Sequence, residues 1–326
     1  MSENTKIKAG IIGAAGYTGG EIIRLLLLHP HADIAFAQSK SNAGNYLHEV
    51  HTDLYGDTEL QFTDTIATDV DVLFLCAGHG EASKFMNEQT IAPHTRIIDL
   101  SQDFRWRESK WNFIYGLPEL HREKIKEGRY IANPGCFATC IELALLPLAA
   151  ANILNNPIHI SATTGSTGAG QGLSHTSHYS WRNDNLSVYK PFEHQHLYEI
   201  GRSLASLQQN FNQPVHFIPQ RGSFTRGIFA SVYTNTDISV AEANEMFQSY
   251  YRSHPFTFVR NGAIDLKQVV NTNKALLRVQ KFGEQLYIES IIDNLLKGAS
   301  GQAVQNMNLM FGFDEMCGLK LKSVVF

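Results

Sequence analysis

The sequence predicts an α/β chain: a doubly wound, mostly parallel sheet followed by a second α+β domain. Three observations carry this. Over the first 150 residues short apolar runs alternate with helical stretches. A glycine turn joins the first apolar run to the first helix. After about residue 150 the texture changes to longer strand-like runs broken by two helices.

Residues 7–12 read as a compact apolar strand ending in glycine. Residues 17–29 read as a helix, because Ile22, Leu25 and Leu26 share one face, Thr18 and Glu21 spell a capping box, and Pro30 stops the pattern. Strands are expected at 33–38, 70–77, 96–100 and 130–132, the last three leading into polar or glycine loops. Ligands of such sheets bind where those loops lie, at the carboxyl ends of the strands. A helix over 137–151 follows, with Pro147 near its end. In the second domain, runs at 157–163, 214–218, 227–233, 256–259 and 286–292 predict an antiparallel sheet, with helices at 195–209 and 240–252. Residues 299–311 are again helical, and the pattern returns them to the first domain.

The bulk numbers narrow the function classes. A chain of 326 residues with 43% hydrophobic and 18% charged residues is an ordinary globular one, so disordered and fibrous classes fall away. A net charge of −4 gives no electrostatic footprint for nucleic acid. Residues 1–8 are polar rather than a signal sequence, and no apolar run approaches the roughly 20 residues a membrane span needs. Cys76, Cys136, Cys140 and Cys317 are too sparse for a disulfide framework, so a soluble, reduced, cytoplasmic protein is expected.

Gly10, Gly13 and Gly16 stand between the first strand and the first helix, in the context that a dinucleotide-binding turn requires. The spacing is GxxGxxG, and a plain glycine turn is the alternative. The second strand ends Gln38-Ser39-Lys40-Ser41, with no acid to hold a ribose diol. Hydroxyls and a cation there favour NADP, with Ser39 and Lys40 as contacts.

Asn133-Pro134-Gly135-Cys136 lies between a strand and a helix. The positive end of a helix dipole favours thiolate, which makes Cys136 a candidate nucleophile; the same placement also suits a small packing cysteine. Cys140, one turn on, reads as a packing residue.

Taken together these residues resemble the N-acetyl-gamma-glutamyl-phosphate reductases of arginine biosynthesis. Gly13-Ala-Ala-Gly16-Tyr17-Thr18-Gly19 is similar to that family's nucleotide turn, and Asn133-Pro-Gly-Cys136-Phe-Ala-Thr139 to its active-site segment. The segments Asp99-Leu-Ser-Gln-Asp103-Phe104-Arg105, Tyr115-Gly-Leu-Pro-Glu119 and Lys297-Gly-Ala-Ser-Gly-Gln-Ala-Val-Gln-Asn306 follow its other motifs. The resemblance implies a Rossmann-type nucleotide domain (1–140 with 300–326) and a second domain of the semialdehyde dehydrogenase type for substrate, catalysis and oligomerisation (141–299). It implies an NADPH-dependent oxidoreductase that passes through a Cys136 thioester, with His196 as acid–base and His194 as substrate contact or backup. Arg105 is expected at the leaving phosphate and Asn133 at the substrate. The turn Ser166-Thr-Gly168-Ala-Gly170 is expected to offer backbone amides to an oxyanion near the nicotinamide. Gly298 and Gln302 are expected near the cofactor, and no metal is implied. Partners are then a small-molecule substrate and phosphate, in a homo-oligomer (dimer or tetramer), with no nucleic acid and no membrane.

The chain departs from the family where Gln220 follows Pro219, six residues before Arg226-Gly-Ile228, in place of a histidine. Arg182, in a segment outside the other motifs, is expected to shape the acyl pocket and leaves an N-succinyl substrate open beside the N-acetyl one. Aspartate-semialdehyde dehydrogenase, a non-catalytic NADP-binding regulator and a zinc hydrolase using His175, His178, His194 and His196 are the competing classes.

Overall fold

The computed structural model describes residues 6–78, 80–106 and 109–325. The chain divides into two compact units, Met1–Pro134 with Ala299–Lys320, and Gly135–Gly298 with Leu321–Phe326.

The first unit runs β1 (Ile7–Ile12), α1 (Tyr17–Leu27), β2 (Ala32–Gln38), α2 (Leu47–Val50), β3 (Phe62–Thr63), β4 (Val72–Leu75), α3 (Glu81–Glu88), β5 (Arg96–Asp99), β6 (Ile114–Tyr115), α4 (Pro118–Glu127) and β7 (Tyr130–Ala132). All seven strands join one sheet in the order β3-β2-β1-β4-β5-β7-β6, each pair parallel. The order reverses between β1 and β4, which opens a crevice at their carboxyl ends. Every residue of β4 is buried, as a strand covered on both faces requires. It is shorter than its apolar run because Cys76 and Ala77 leave the sheet to lie against Gly13.

The capping box expected of Thr18 and Glu21 does not form. The helix starts at Tyr17 from an extended Gly16, which puts Thr18 inside the first turn. Glu21 instead pairs with Arg24 at 2.6 Å.

The second unit runs α5 (Cys136–Ala150), β8 (Ile158–Thr164), α6 (Tyr179–Arg182), β9 (Ser187–Val188), α7 (His196–Leu207), β10 (Val215–Arg221), β11 (Ile228–Asn235), α8 (Val240–Tyr251), β12 (Thr257–Val259), β13 (Ala275–Phe282) and β14 (Gln285–Ile292). Its sheet, ordered β12-β13-β14-β11-β8-β10-β9, is mixed rather than antiparallel as expected. β8 and β10 are parallel because the chain crosses over through α7 before pairing, and β12 and β13 are parallel too. Inward residues Ile228, Ala230 and Val232 of β11 alternate with half-buried and exposed outward ones, so one face is covered and one is open. The covering core draws Ile141 and Leu145 from α5, Ile200 and Leu204 from α7, and Ala243 and Phe247 from α8.

A π-type turn at Leu296–Ser300 precedes α9 (Gly301–Phe311), which packs on α4 and α1 in the first unit. A boundary at residue 140 would cut the uninterrupted helix α5; the units divide before it.

Candidate active site

In the first unit the glycine turn is built by backbone contact. Gly13 has φ +74°, and a Cβ there would stand 2.9 Å from the backbone of Cys76 and Ala77. Its amide donates to Gln38 Oε1 at 3.3 Å, and the Ala14 amide to the Gln38 carbonyl at 2.9 Å. A side chain at Gly19 would meet the Ala14 carbonyl at 2.6 Å, so the helix rests directly on the turn. Gly16 contributes no side-chain cap, and the opening amides of a helix have no partner within it. That combination suits a pyrophosphate. Tyr17 is partly exposed at the helix start, whereas the Thr18 carbonyl accepts from Ser300 Oγ at 2.9 Å.

At the end of β2, Ser39 is buried and its hydroxyl accepts from Asn42 at 3.1 Å. Lys40 is exposed and opens a short 3-10 turn. Residues 38–45 carry no carboxylate.

The loops after β5 and β7 are tied to one another. Arg105 is buried, donating from Nε to the Asn133 carbonyl at 2.8 Å and from Nη2 to the Leu100 carbonyl at 2.9 Å. The guanidinium expected at a phosphate therefore works as a strap between two loops. Asn133 is fully buried; its Nδ2 donates to the Ala299 carbonyl at 3.0 Å and its Oδ1 accepts from Asn306 at 3.1 Å. Its side chain fixes α9 to the end of β7. Gln302 is likewise fully buried in α9. The Asp103 carboxylate accepts from the Gly80 and Ser83 amides at 2.8 and 3.1 Å and so caps α3. Asp99, fully buried, accepts from the Ser101 amide and hydroxyl at 3.0 and 2.8 Å. Burial pushes its carboxyl up to about 7.

In the second unit Cys136 is the first residue of α5, after an extended Gly135 that gives no side-chain cap. Gly298 lies against it: a Cβ on Gly298 would fall 2.8 Å from the Cys136 Cβ. The Gly135 amide donates to Glu199 Oε2 at 2.8 Å, and Glu199 Oε1 lies 3.8 Å from His196 Nε2. Glu199 is buried, so this carboxylate meets both the start of the cysteine helix and the imidazole at the start of α7. The His194 and His196 rings are 4.5 Å apart, and both pack on Phe137. A backbone N–H only donates, so the 3.2 Å bond from the His196 amide makes His194 Nδ1 an acceptor. Burial, with the charges of His196 and Lys190, holds the His194 pKa down at about 3, so it stays neutral. Tyr189 packs 5.7 Å from the His194 ring and under the Arg221 guanidinium at 4.8 Å. Burial and the nearby Cys136 raise its phenol pKa. Cys140 is fully buried, donates to the Ser290 carbonyl at 3.2 Å, and is pushed by burial up to about 12, as a packing thiol should be.

Two predicted groups of this unit make their hydrogen bonds within the chain. The amides of Ser166, Thr167 and Gly168 donate to the carbonyls of Phe224, Thr225 and Gly165 at 2.8, 3.1 and 3.3 Å. The turn is pinned to a neighbouring segment, and these amides are not turned toward an oxyanion. Arg182 is buried and donates to the Thr176 and Arg221 carbonyls and the Ser187 hydroxyl. It fastens the 174–188 segment to β10 and is not presented to a second carboxylate. Gln220 bridges β8 and β10, accepting from Thr163 at 3.0 Å and donating to Ser161 at 3.3 Å. Glu199, Tyr189, Arg221 and Asp99 gather at these two places without having been singled out. Glu199 carried a signal, three residues after His196 on one helix face, and Asp99 opened a motif segment. Among the described residues, no group of three or more His, Cys, Asp or Glu side chains is placed to hold a metal ion. No helix among them is long and apolar enough to cross a membrane.

Comparison with known proteins agrees with this division. Residues 8–128 match the model of the semialdehyde dehydrogenase NAD binding domain, so the first unit carries a nicotinamide-dinucleotide-binding domain. Residues 136–294 match the semialdehyde dehydrogenase dimerisation domain. The N-acetyl-gamma-glutamyl-phosphate reductase of Parabacteroides distasonis is 55% identical over 321 residues, 98% of this chain and 100% of that one. That of Flavobacterium johnsoniae is 55% identical over 97% of this chain and 98% of its own. Among solved structures, aspartate semialdehyde dehydrogenase II of Vibrio cholerae, complexed with ASA, superposes with a TM-score of 0.73 at 17% identity, covering 95% of this chain and 99% of that one. The Candida albicans aspartate semialdehyde dehydrogenase with NADP gives 0.66 at 15% identity, over 94% and 99%. At these identities the likeness is one of fold.

Proposed function

The chain belongs to the family of the N-acetyl-gamma-glutamyl-phosphate reductases, and on that premise we propose that it reduces N-acetyl-gamma-glutamyl phosphate to the 5-semialdehyde through a Cys136 thioester, with NADPH. The observation that carries this reading is the start of α5, where Cys136, the Glu199 carboxylate and His196 converge.

The Cys136 sulfur attacks the acyl carbon; a C–S bond forms, the C–O bond to phosphate breaks, and phosphate leaves with the electron pair. When bound, the reduced nicotinamide would supply the hydride for this thioester; the C–S bond then breaks, the electron pair returns to the Cys136 sulfur and the semialdehyde is released. His196 takes the thiol proton, and the nearby Glu199 carboxylate favours the resulting imidazolium. His194, held neutral with Nδ1 accepting, keeps its proton on Nε2 as a donor for substrate. The α5 N-terminus favours negative charge on the sulfur. Gly13, Gly16, Tyr17 and Gly19 form the pyrophosphate turn, and Lys40, with no acid beside it, supports NADP over NAD. Arg105 contributes to phosphate binding through the loops it straps. The match to a dimerisation domain supports a homo-oligomer, dimer or tetramer, and free Cys76, Cys136, Cys140 and Cys317 suit the cytoplasm.

The test is the reverse reaction. N-acetylglutamate 5-semialdehyde plus phosphate should reduce NADP in preference to NAD, and Cys136→Ser should lower kcat by about three orders of magnitude or more. Turnover without phosphate would refute the phosphorylating reaction, and an active serine variant would refute the thioester route.

A further inference from the structure

The second unit holds a half-buried cation whose purpose the steps above leave unexplained. Arg226 pairs with Asp293 and Arg278 with Glu289, whereas Arg221 forms no ion pair with any carboxylate among the described residues. Its Nε is buried and has no hydrogen-bond partner. The guanidinium instead lies over the Tyr189 ring at 4.8 Å. Arg182 donates to the Arg221 carbonyl at 2.8 Å and stands close enough for the two guanidinium groups to repel. A desolvated cation beside a second one is unfavourable unless an anion joins it. The location is informative. The Tyr189 ring lies 5.7 Å from that of His194, and Tyr189 and Cys136 pack against the same core, so an anion held by Arg221 stands near the reacting sulfur. Arg221 also directly follows Gln220, where the chain departs from the family pattern.

We propose that Arg221 binds a carboxylate of the substrate in the bidentate manner of guanidinium, and so sets which acylglutamyl compound reaches Cys136. The assignment rests on the reductase reading. Two carboxylates share the required chemistry: the α-carboxylate of the glutamyl moiety, and one carried by the acyl group itself, as in an N-succinyl substrate.

Kinetics in the direction of semialdehyde oxidation separate these cases, because phosphate and carboxylate then arrive on different molecules. Arg221→Leu should raise KM for the semialdehyde roughly 10- to 100-fold while KM for phosphate and for NADP hold. Arg221→Lys, which keeps the charge but not the fork, should recover part of the loss and supplies the readout should the leucine variant be unstable. Equal losses with N-acetyl and N-succinyl semialdehydes identify the α-carboxylate; a loss confined to the succinyl compound identifies the acyl carboxylate. A rise in KM for phosphate alone, or no change in any KM, overturns the assignment while leaving the reductase reading intact. A wild-type protein inactive with both semialdehydes would bring down the reading and this assignment together.

Discussion

Glu199 reaches two groups that are otherwise joined only through the fold, the amide before Cys136 and the imidazole of His196. Its glutamine counterpart keeps an acceptor for Gly135 and loses the charge that favours imidazolium. A carboxylate raises a neighbouring histidine pKa, so Glu199→Gln should move the histidine limb of the kcat/KM–pH profile to lower pH and reduce kcat roughly 10- to 100-fold. An unchanged profile would leave Glu199 as a helix anchor only. The same residues show what single positions in a sequence conceal. The placement of Cys136 at a helix start and of His194 and His196 at that of α7 was legible, because the Pro-Gly turn and the His-Gln-His spacing mark those helix starts. The main-chain bonds of Arg105, Arg182 and Ser166 were not legible, since a guanidinium or an amide reads alike whether it faces a ligand or a main-chain carbonyl. Arg221 passed unnoticed for the converse reason: nothing in its neighbours says that it lacks a partner.

At the scale of elements, β1 and β7 fall on the predicted residues because each is a short apolar run bounded by glycine or polar residues. The two-residue strands β3, β6 and β9 are too brief to display a period, and in β13 the charged Arg278 and Lys281 fall on opposite faces and mask the apolar run. Two capping signatures behave differently for a local reason. Ser239 and Glu242 form the reciprocal pair at 3.2 and 2.7 Å because Ser239 is itself the extended residue before α8. At α1 the extended residue is Gly16, so Thr18 comes two positions too late. The seat of Cys136 rests on an element no pattern advertises, the π-type turn that brings Gly298 against it. Gly298→Ala places a methyl 2.8 Å from the Cys136 Cβ, which forces the turn or the start of α5 to shift. A loss of about 1–3 kcal/mol in stability is expected. A larger proportional fall in the rate of Cys136 alkylation should accompany it, with NADP affinity held. Normal alkylation in a folded variant would show that the turn yields instead of the nucleophile.

For the whole molecule, the alternation of apolar runs and helices made the doubly wound unit legible, while the mixed sheet was not, because strand direction depends on crossovers rather than on the strands' own residues. Charge burial is a whole-molecule property of the same kind, visible only when protons are counted in both the folded and the unfolded chain. Asp99 ends a central strand with Ser101, Arg105, Asp103 and Cys76 as its polar neighbours. Burial holds its carboxyl at about 7 in the folded state against 3.8 for the free group, with Asp103 adding to the rise and Ser101 and Arg105 opposing it. Between those two values the folded chain therefore retains a proton that the unfolded chain has released. Stability must then fall as pH rises through this window, with the full penalty in place above about 7, on the order of a few kcal/mol. Asp99→Asn keeps the shape and removes the titration; the loss of the Ser101 contacts is common to all pH values. Other titrating groups are shared and cancel in the comparison, so the Tm of the asparagine variant relative to wild type should climb by several degrees from pH 5 to pH 8. A constant offset across that range would mean that Asp99 ionises as a free carboxyl does, and that the loops it organises tolerate a charge at the carboxyl end of the sheet.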